Sequence, residues 1–176
     1  MQTKPICAMI RIELRFTAAG GVNDLKRGNR MESCTVWYDE WQMACCGEPF
    51  APGSRVCWPV VEHWEWPLLP EELKARLGKW DYDFDSHGCD EEKIYYTLQG
   101  TVEKIQGVYL FYRRDEKRNA LIPSGGLVIP VPSVHDAPSR CQGARLDAYF
   151  VRLSHPEVRP FQADEAHGNE TKGVML

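Results

Sequence analysis

Ile94–Tyr112 reads IYYTLQGTVEKIQGVYLFY, and this stretch decides the fold class. Aromatic and β-branched residues dominate it, and these side chains suit a pleated, half-buried surface. Ile94–Leu98 reads as one strand, stopped before Gly100. Thr101–Ile105 and Val108–Tyr112 read as two more. Gln106-Gly107 lies between them and is expected to form a tight hairpin turn.

Further strands lie on either side. Cys34–Tyr38 and Arg55–Val61 have strand composition. In the second, Val56 and Trp58 share one face and Arg55 and Cys57 the other, with Pro52-Gly53 as the turn before it. Pro59 lies inside that run, which points to a sheet edge or a bulge because proline donates no ladder hydrogen bond. Trp41–Phe50 reads as irregular chain or a short turn of helix, ended by Gly47 and Pro49. Pro70-Glu71-Glu72 opens a short helix to about Trp80, since proline suits a first turn and acids suit the positive end of the helix dipole. Leu73 and Leu77 share its buried face. Asp81–Glu92 and Arg113–Asn119 read as charged loops, Leu127–Val131 as a strand edge bracketed by prolines, and Leu146–Leu153 as the last strand.

At the N-terminus, Ile6, Ala8, Ile10, Ile12, Leu14 and Phe16 alternate with Arg11, Glu13 and Arg15, the period of a half-buried strand. A glycine- and asparagine-rich loop follows, and Met31 is a second candidate start site. Residues 1–30 therefore read as an N-terminal strand and loop, and as a candidate extension. Residues 156–176 read as a polar tail, expected to be disordered from Gln162 onward. Between them, residues 31–155 read as a mainly β (or α+β) domain, expected to be a small SH3-like or OB-like barrel with one short helix.

The chain has 176 residues, a length that suits one ordinary domain. Its net charge of −4 gives no bulk attraction to nucleic acid or anionic membrane. It contains no apolar run of about 18 residues, so no membrane span is expected. Arg11, Glu13 and Arg15 break up what would otherwise resemble a signal-peptide core. The seven cysteines are an odd count, and two of them are adjacent. That pattern fits reduced thiols in a cytoplasmic protein better than a secreted disulfide framework.

Trp41-Gln42-Met43-Ala44-Cys45-Cys46-Gly47-Glu48-Pro49-Phe50 resembles the hallmark of an uncharacterised bacterial family, mainly actinobacterial, with the signature Trp-Gln-Met-x-Cys-Cys-Gly-x-Pro-Phe. Gly53, Val56, Cys57 and Trp58 match the continuation of that signature. His87-Gly88 and Gly100-Thr101-Val102 with Ile105 are similar to its second half. The resemblance covers roughly residues 34–112, and more loosely reaches 153. It implies no activity, and it places residues 1–30 outside the shared part.

Cys45 and Cys46 are the most chemically suggestive residues. Thiolates bind Zn²⁺ and histidine adds a nitrogen ligand, so Cys45, Cys46, His87 and Cys89 form a candidate metal set. The usual structural spacing is Cys-x₂₋₄-Cys, and adjacent side chains ordinarily point apart. One cysteine packed in the core and the other at a turn is therefore the more natural reading. A nucleophilic or redox-active pair is a third, but no spacing brings a histidine to either thiol. Asp81, Asp83 and Asp85 offer oxygens for Ca²⁺ but lack EF-hand spacing, so they read as a solvated loop. Trp41, Gln42, Met43, Trp64 and Trp66 form a candidate aromatic binding surface. No P-loop, dinucleotide-binding glycine pattern, His-Glu-x-x-His or Gly-x-Ser-x-Gly is present.

Two functions follow. One is a small binding or interaction module with no catalysis, its partner a protein or small-molecule ligand. The other is a Zn²⁺-binding or redox-active cysteine site.

Overall fold

The computed structural model describes residues 31–63, 68–87 and 93–161. The expected N-terminal strand, Trp64, Trp66, Cys89 and the tail from Gln162 lie outside the described residues.

The Ile94–Tyr112 stretch does not fold as three strands, the last two joined by a hairpin at Gln106-Gly107. It belongs to one strand, which runs from Tyr95 to Asp115. Gln106 and Gly107 have paired neighbours on both sides: Phe150 and Tyr149 on one, Pro130 and Ile129 on the other. Gly107 is not among the glycines with positive φ, so it supplies no turn geometry. Its role is spatial. A Cβ at Gly107 would lie 2.7 Å from Cε2 of Tyr109, whose ring folds back over the strand. A glycine inside a strand pattern can thus mark a close approach. The turn that does reverse the chain comes later, at Glu116–Asn119, where Asn119 takes a positive φ of 50°.

In chain order the elements are β1 (Ser33–Asp39), α1 (Glu40–Cys46), β2 (Arg55–Glu62), α2 (Glu71–Leu77), β3 (Tyr82–Phe84), β4 (Tyr95–Asp115), β5 (Ala120–Pro130), β6 (Arg140–Cys141) and β7 (Ala144–Pro160). The strands form a single sheet in the order β5-β4-β2-β3-β1-β7-β6, and the β4–β7 pairing closes β1, β2, β3, β4 and β7 into a barrel. The expected mainly β small barrel is therefore the architecture found. Among the described residues there are two short helices rather than one, because Trp41–Phe50 begins with a complete helix.

The Asp81–Glu92 loop expected from the sequence contains the strand that completes the barrel. β3 pairs in parallel with β1 and antiparallel with β2. Its three residues also explain Pro59. The Pro59 carbonyl faces the β3 side and accepts from the Asp85 N–H at 3.1 Å. The missing proline donor therefore points just past the Val60–Phe84 pair at which β3 ends. β2 is paired on both sides, not an edge, but its proline sits where the ladder has stopped.

Two apolar cores share the barrel wall. The inner one includes Val36, Tyr38, Trp58, Val60, Phe84 and Leu153. Tyr38 stacks on Phe84 and meets Trp58 edge-on. The outer one lies beneath α2 and includes Trp37, Leu73, Trp80, Val108, Leu110 and Phe150. Val36, Trp37 and Tyr38 are consecutive and all buried, which only a strand covered on both faces allows. α2 ends at Gly78, whose φ of 70° places it in the left-handed region. Beyond the expected boundary at 155, β7 continues to Pro160, and the Phe161 N–H still reaches the Tyr95 carbonyl at 3.1 Å.

Candidate metal centre

α1 is seven residues long, too short to hold together by helix propensity alone. Its stability comes from what it touches. Residues four apart share a helix face, so Trp41 aligns with Cys45 and Gln42 with Cys46. Gln42 is only 4% exposed, so it cannot belong to the binding surface expected from the sequence. Its Nε2 donates to the Phe84 carbonyl at 2.9 Å, and its Oε1 accepts from the Ser86 N–H at 3.2 Å. This amide ties the chain leaving β3 to the helix. Met43 is partly buried and packs against the inner core.

Gly47 ends the helix by donating to the carbonyls of Gln42 and Met43 at 3.0 and 3.2 Å. A Cβ there would lie 2.7 Å from both Cα and Sδ of Met43 and 2.8 Å from the Tyr38 hydroxyl. The glycine is needed because there is no space for a side chain.

Within the acidic run, the carboxylates of Asp81, Asp83 and Asp85 are taken up by protein donors. Asp81 accepts from the Thr35 N–H and hydroxyl, at 2.7 and 3.0 Å. Asp83 accepts from Trp80 Nε1 at 2.6 Å and pairs with His63. Asp85 accepts from the His87 N–H and the Tyr95 hydroxyl, each at 3.0 Å. These three aspartates are thus tied to the barrel wall, and Asp85 sets the backbone turn from which His87 projects.

That turn brings His87 to the end of α1. Sγ of Cys45, Sγ of Cys46 and a ring nitrogen of His87 all lie within 4.8 Å of one another, and all three residues are exposed. Bonds of about 2.3 Å to sulfur and about 2.0–2.1 Å to nitrogen separate neighbouring ligands on tetrahedral zinc by roughly 3.3–3.8 Å. Side-chain adjustments of about an ångström would therefore close the set around an ion. The negative end of the α1 dipole also favours a cation here. Cys46 Sγ donates to the Gln42 carbonyl at 3.4 Å and lies 3.1 Å from Ser86 Oγ. The indole of Trp41 tilts over the His87 ring, with centroids 5.0 Å apart.

Of the candidate metal set, Cys45, Cys46 and His87 come together, while Cys89 lies outside the described residues. Of the candidate binding surface, Trp41 is 55% exposed, and Trp64 and Trp66 are not described. Ser86 is absent from the candidate residues of the sequence, and Asp85 enters there only as part of a solvated loop. The signal for Ser86 was an Asp-Ser-His run in the middle of the acidic stretch, and nothing in it pointed across to α1.

Residues 32–155 match the family of unknown function DUF6578. The chain belongs to that family. The DUF6578 match covers the barrel short of the end of β7, both helices and the Cys45–Cys46–His87 corner, so the candidate centre lies within the family's own extent. No curated protein matches the chain, and no solved structure does. Among the described residues, no helix is long and apolar enough to cross a membrane, and Cys34, Cys45, Cys46, Cys57 and Cys141 are all free thiols.

Proposed function

We propose that this DUF6578 domain is a small β-barrel that binds a thiophilic divalent cation, Zn²⁺ foremost, through Cys45, Cys46 and His87. The observation that carries the reading is the convergence of two thiols and an imidazole within 4.8 Å, from elements about 40 residues apart in sequence. Soft sulfur ligands with an imidazole select zinc over calcium or magnesium. Three protein ligands leave one position of a tetrahedral ion for Cys89, water or an incoming ligand. The exposed Trp41 ring beside His87 gives such a ligand, protein or small molecule, an apolar surface to rest on.

The test is metal analysis of protein purified without a histidine tag. The wild-type chain is expected to carry close to one zinc per molecule and the Cys45→Ser, Cys46→Ser double variant close to none. Zinc should also protect Cys45 and Cys46 from alkylation while leaving the exposed Cys57 reactive. A metal-free wild type, or equal zinc in the double variant, would overturn the proposal.

A further inference from the structure

We infer that the tip of the β4–β5 ribbon is a docking edge for an extended acidic segment of a partner protein, which joins it as a third strand. The surface is separate from the metal centre, since none of its residues belongs to α1 or β3.

β4 is 21 residues long, and its last part has lost one neighbour. Its pairing with β7 ends at Leu110–Arg145, while its pairing with β5 runs on to Asp115–Ala120. From Phe111 to Asp115, β4 is therefore paired with β5 alone among the described residues. Backbone donors and acceptors along such an edge are a template for another strand. A two-stranded ribbon is also marginal in water and gains stability from a third strand.

Charge decides which strand fits. The ribbon carries Arg113, Arg114, Lys117 and Arg118, and the β6–β7 turn adds Arg140 and Arg145, all of them exposed. That turn lies against the ribbon: a Cβ at Gly143 would lie 3.9 Å from Cε1 of Phe111. Facing these six cations are three carboxylates, Asp115, Glu116 and Asp147, in a chain whose net charge is −4. Two of the three are already engaged. Asp115 accepts from the Lys117 and Arg118 N–H groups at 3.0 and 3.4 Å. Asp147 accepts from the Tyr112 hydroxyl at 2.6 Å and from Arg145 at 3.4 Å. Arg113, Lys117 and Arg140 meet no carboxylate among the described residues.

Successive side chains of a strand point to opposite faces, so Arg113 and Arg114 present one cation on each face of β4. An added strand meets both with two adjacent acids. Apolar groups flank them: Arg114 pairs across the ribbon with Leu121, which is 68% exposed, and Arg113 with Ile122. The segment that fits is a pair of acids between β-branched residues. A second copy of this edge does not fit, because pairing would set these arginines against one another, and like charges directly opposite are destabilising. A phosphodiester backbone would use neither Leu121 nor the unpaired edge, so both favour a peptide. Peptide addition to a sheet edge takes affinity from the main chain and specificity from the side chains.

The experiment titrates the full chain into a fluorescein-labelled Val-Thr-Glu-Glu-Val-Thr peptide and reads anisotropy. Comparison probes are the Lys-Lys counterpart, the acidic peptide N-methylated at alternate backbone nitrogens, and a short DNA duplex. The acidic peptide is expected to bind at least about tenfold more tightly than the other three, and to weaken as NaCl is raised. Its binding should slow hydrogen exchange at the amides of Phe111–Asp115. Arg113→Glu, Arg114→Glu should lose at least about tenfold in affinity, while Lys104→Glu, farther back along β4, should match wild type. These side chains are exposed, so the fold is expected to persist, checked by circular dichroism and the thermal midpoint. Arg140→Glu lies outside the ribbon and should weaken binding a few-fold, so it decides the matter if the double variant misfolds. No binding at millimolar peptide, equal binding of the Lys-Lys or N-methylated peptide, or unchanged exchange at Phe111–Asp115 overturns the inference. So does wild-type affinity in the folded double variant. Tighter binding of the duplex also overturns it and gives the surface to nucleic acid.

Discussion

Gly47 shows how one residue shapes the site. Its φ is −76°, which any residue adopts, so backbone freedom does not explain it. The explanation is the space taken by Met43 and the Tyr38 hydroxyl. Gly47→Ala is expected to cost about 1–3 kcal/mol, as overpacking does, and to displace the end of α1 that carries Cys46. Chemical denaturation measures the first effect and zinc affinity the second; an alanine variant as stable and as tight-binding as wild type would contradict both. At this scale the sequence was informative about identity but not about partnership. Cys45 and Cys46 were legible as chemistry, and His87 as a companion. Gln42, expected at a binding surface, proved to be a buried clamp, because its partners lie 42 and 44 residues away in sequence.

Among the elements, β4 departs furthest from its local pattern. Gln106-Gly107 has the composition of a turn, yet it sits in mid-strand with the Tyr109 ring over the glycine. Gly107→Ala is expected to destabilise the fold by about 1–3 kcal/mol, and Tyr109→Leu to relieve part of that cost. A double-mutant cycle read by equilibrium unfolding should give a coupling of about 0.5–3 kcal/mol. Independent effects would mean that the ring does not cause the requirement for glycine. Hairpin turns and glycine-backed aromatic contacts share a residue signature. Only neighbours on both sides of the strand, here β7 and β5, separate them. The same holds for β3 and its flanks: Asp81, Asp83 and Asp85 read as a solvated loop from the sequence, yet Thr35, Trp80 and Tyr95 donate to them.

Across the whole molecule, the two cores leave several weak acids out of water. Burial pushes the Cys34 thiol up from 9.0 to about 12, aided by the nearby Asp81. Burial likewise raises the Tyr149 phenol from 10.0 to about 12. Tyr112 rises to about 12 through desolvation and its hydrogen bond to Asp147. Each group keeps its proton in the folded chain over a range in which the unfolded chain has lost it. Their contribution is therefore complete below about pH 9 and is lost as pH climbs from 9 toward 12. Urea midpoints are expected to be level as far as pH 9 with respect to these groups and to fall between 9 and 11. Midpoints that hold steady through pH 11 would count against the burial of these residues. Asp39 adds an acid-side effect of the same sign. Burial raises its carboxyl, so it favours the fold when protonated and costs stability above its folded pKa.

The sequence by itself determined the mainly β class, the strand-forming segments around Cys34, Arg55, Ile94 and Leu146, the helix after Pro70 and the thiols worth attention. Those properties depend on local composition and on period, which neighbours in the chain carry. Tertiary structure alone decided that β4 is one strand, that β3 closes the barrel and that Val36, Trp37 and Tyr38 serve two cores at once. It also brought His87 to the cysteines through the Gln42 amide and Ser86. Each of these depends on a contact between segments far apart in sequence, and such contacts leave no periodicity in either segment alone.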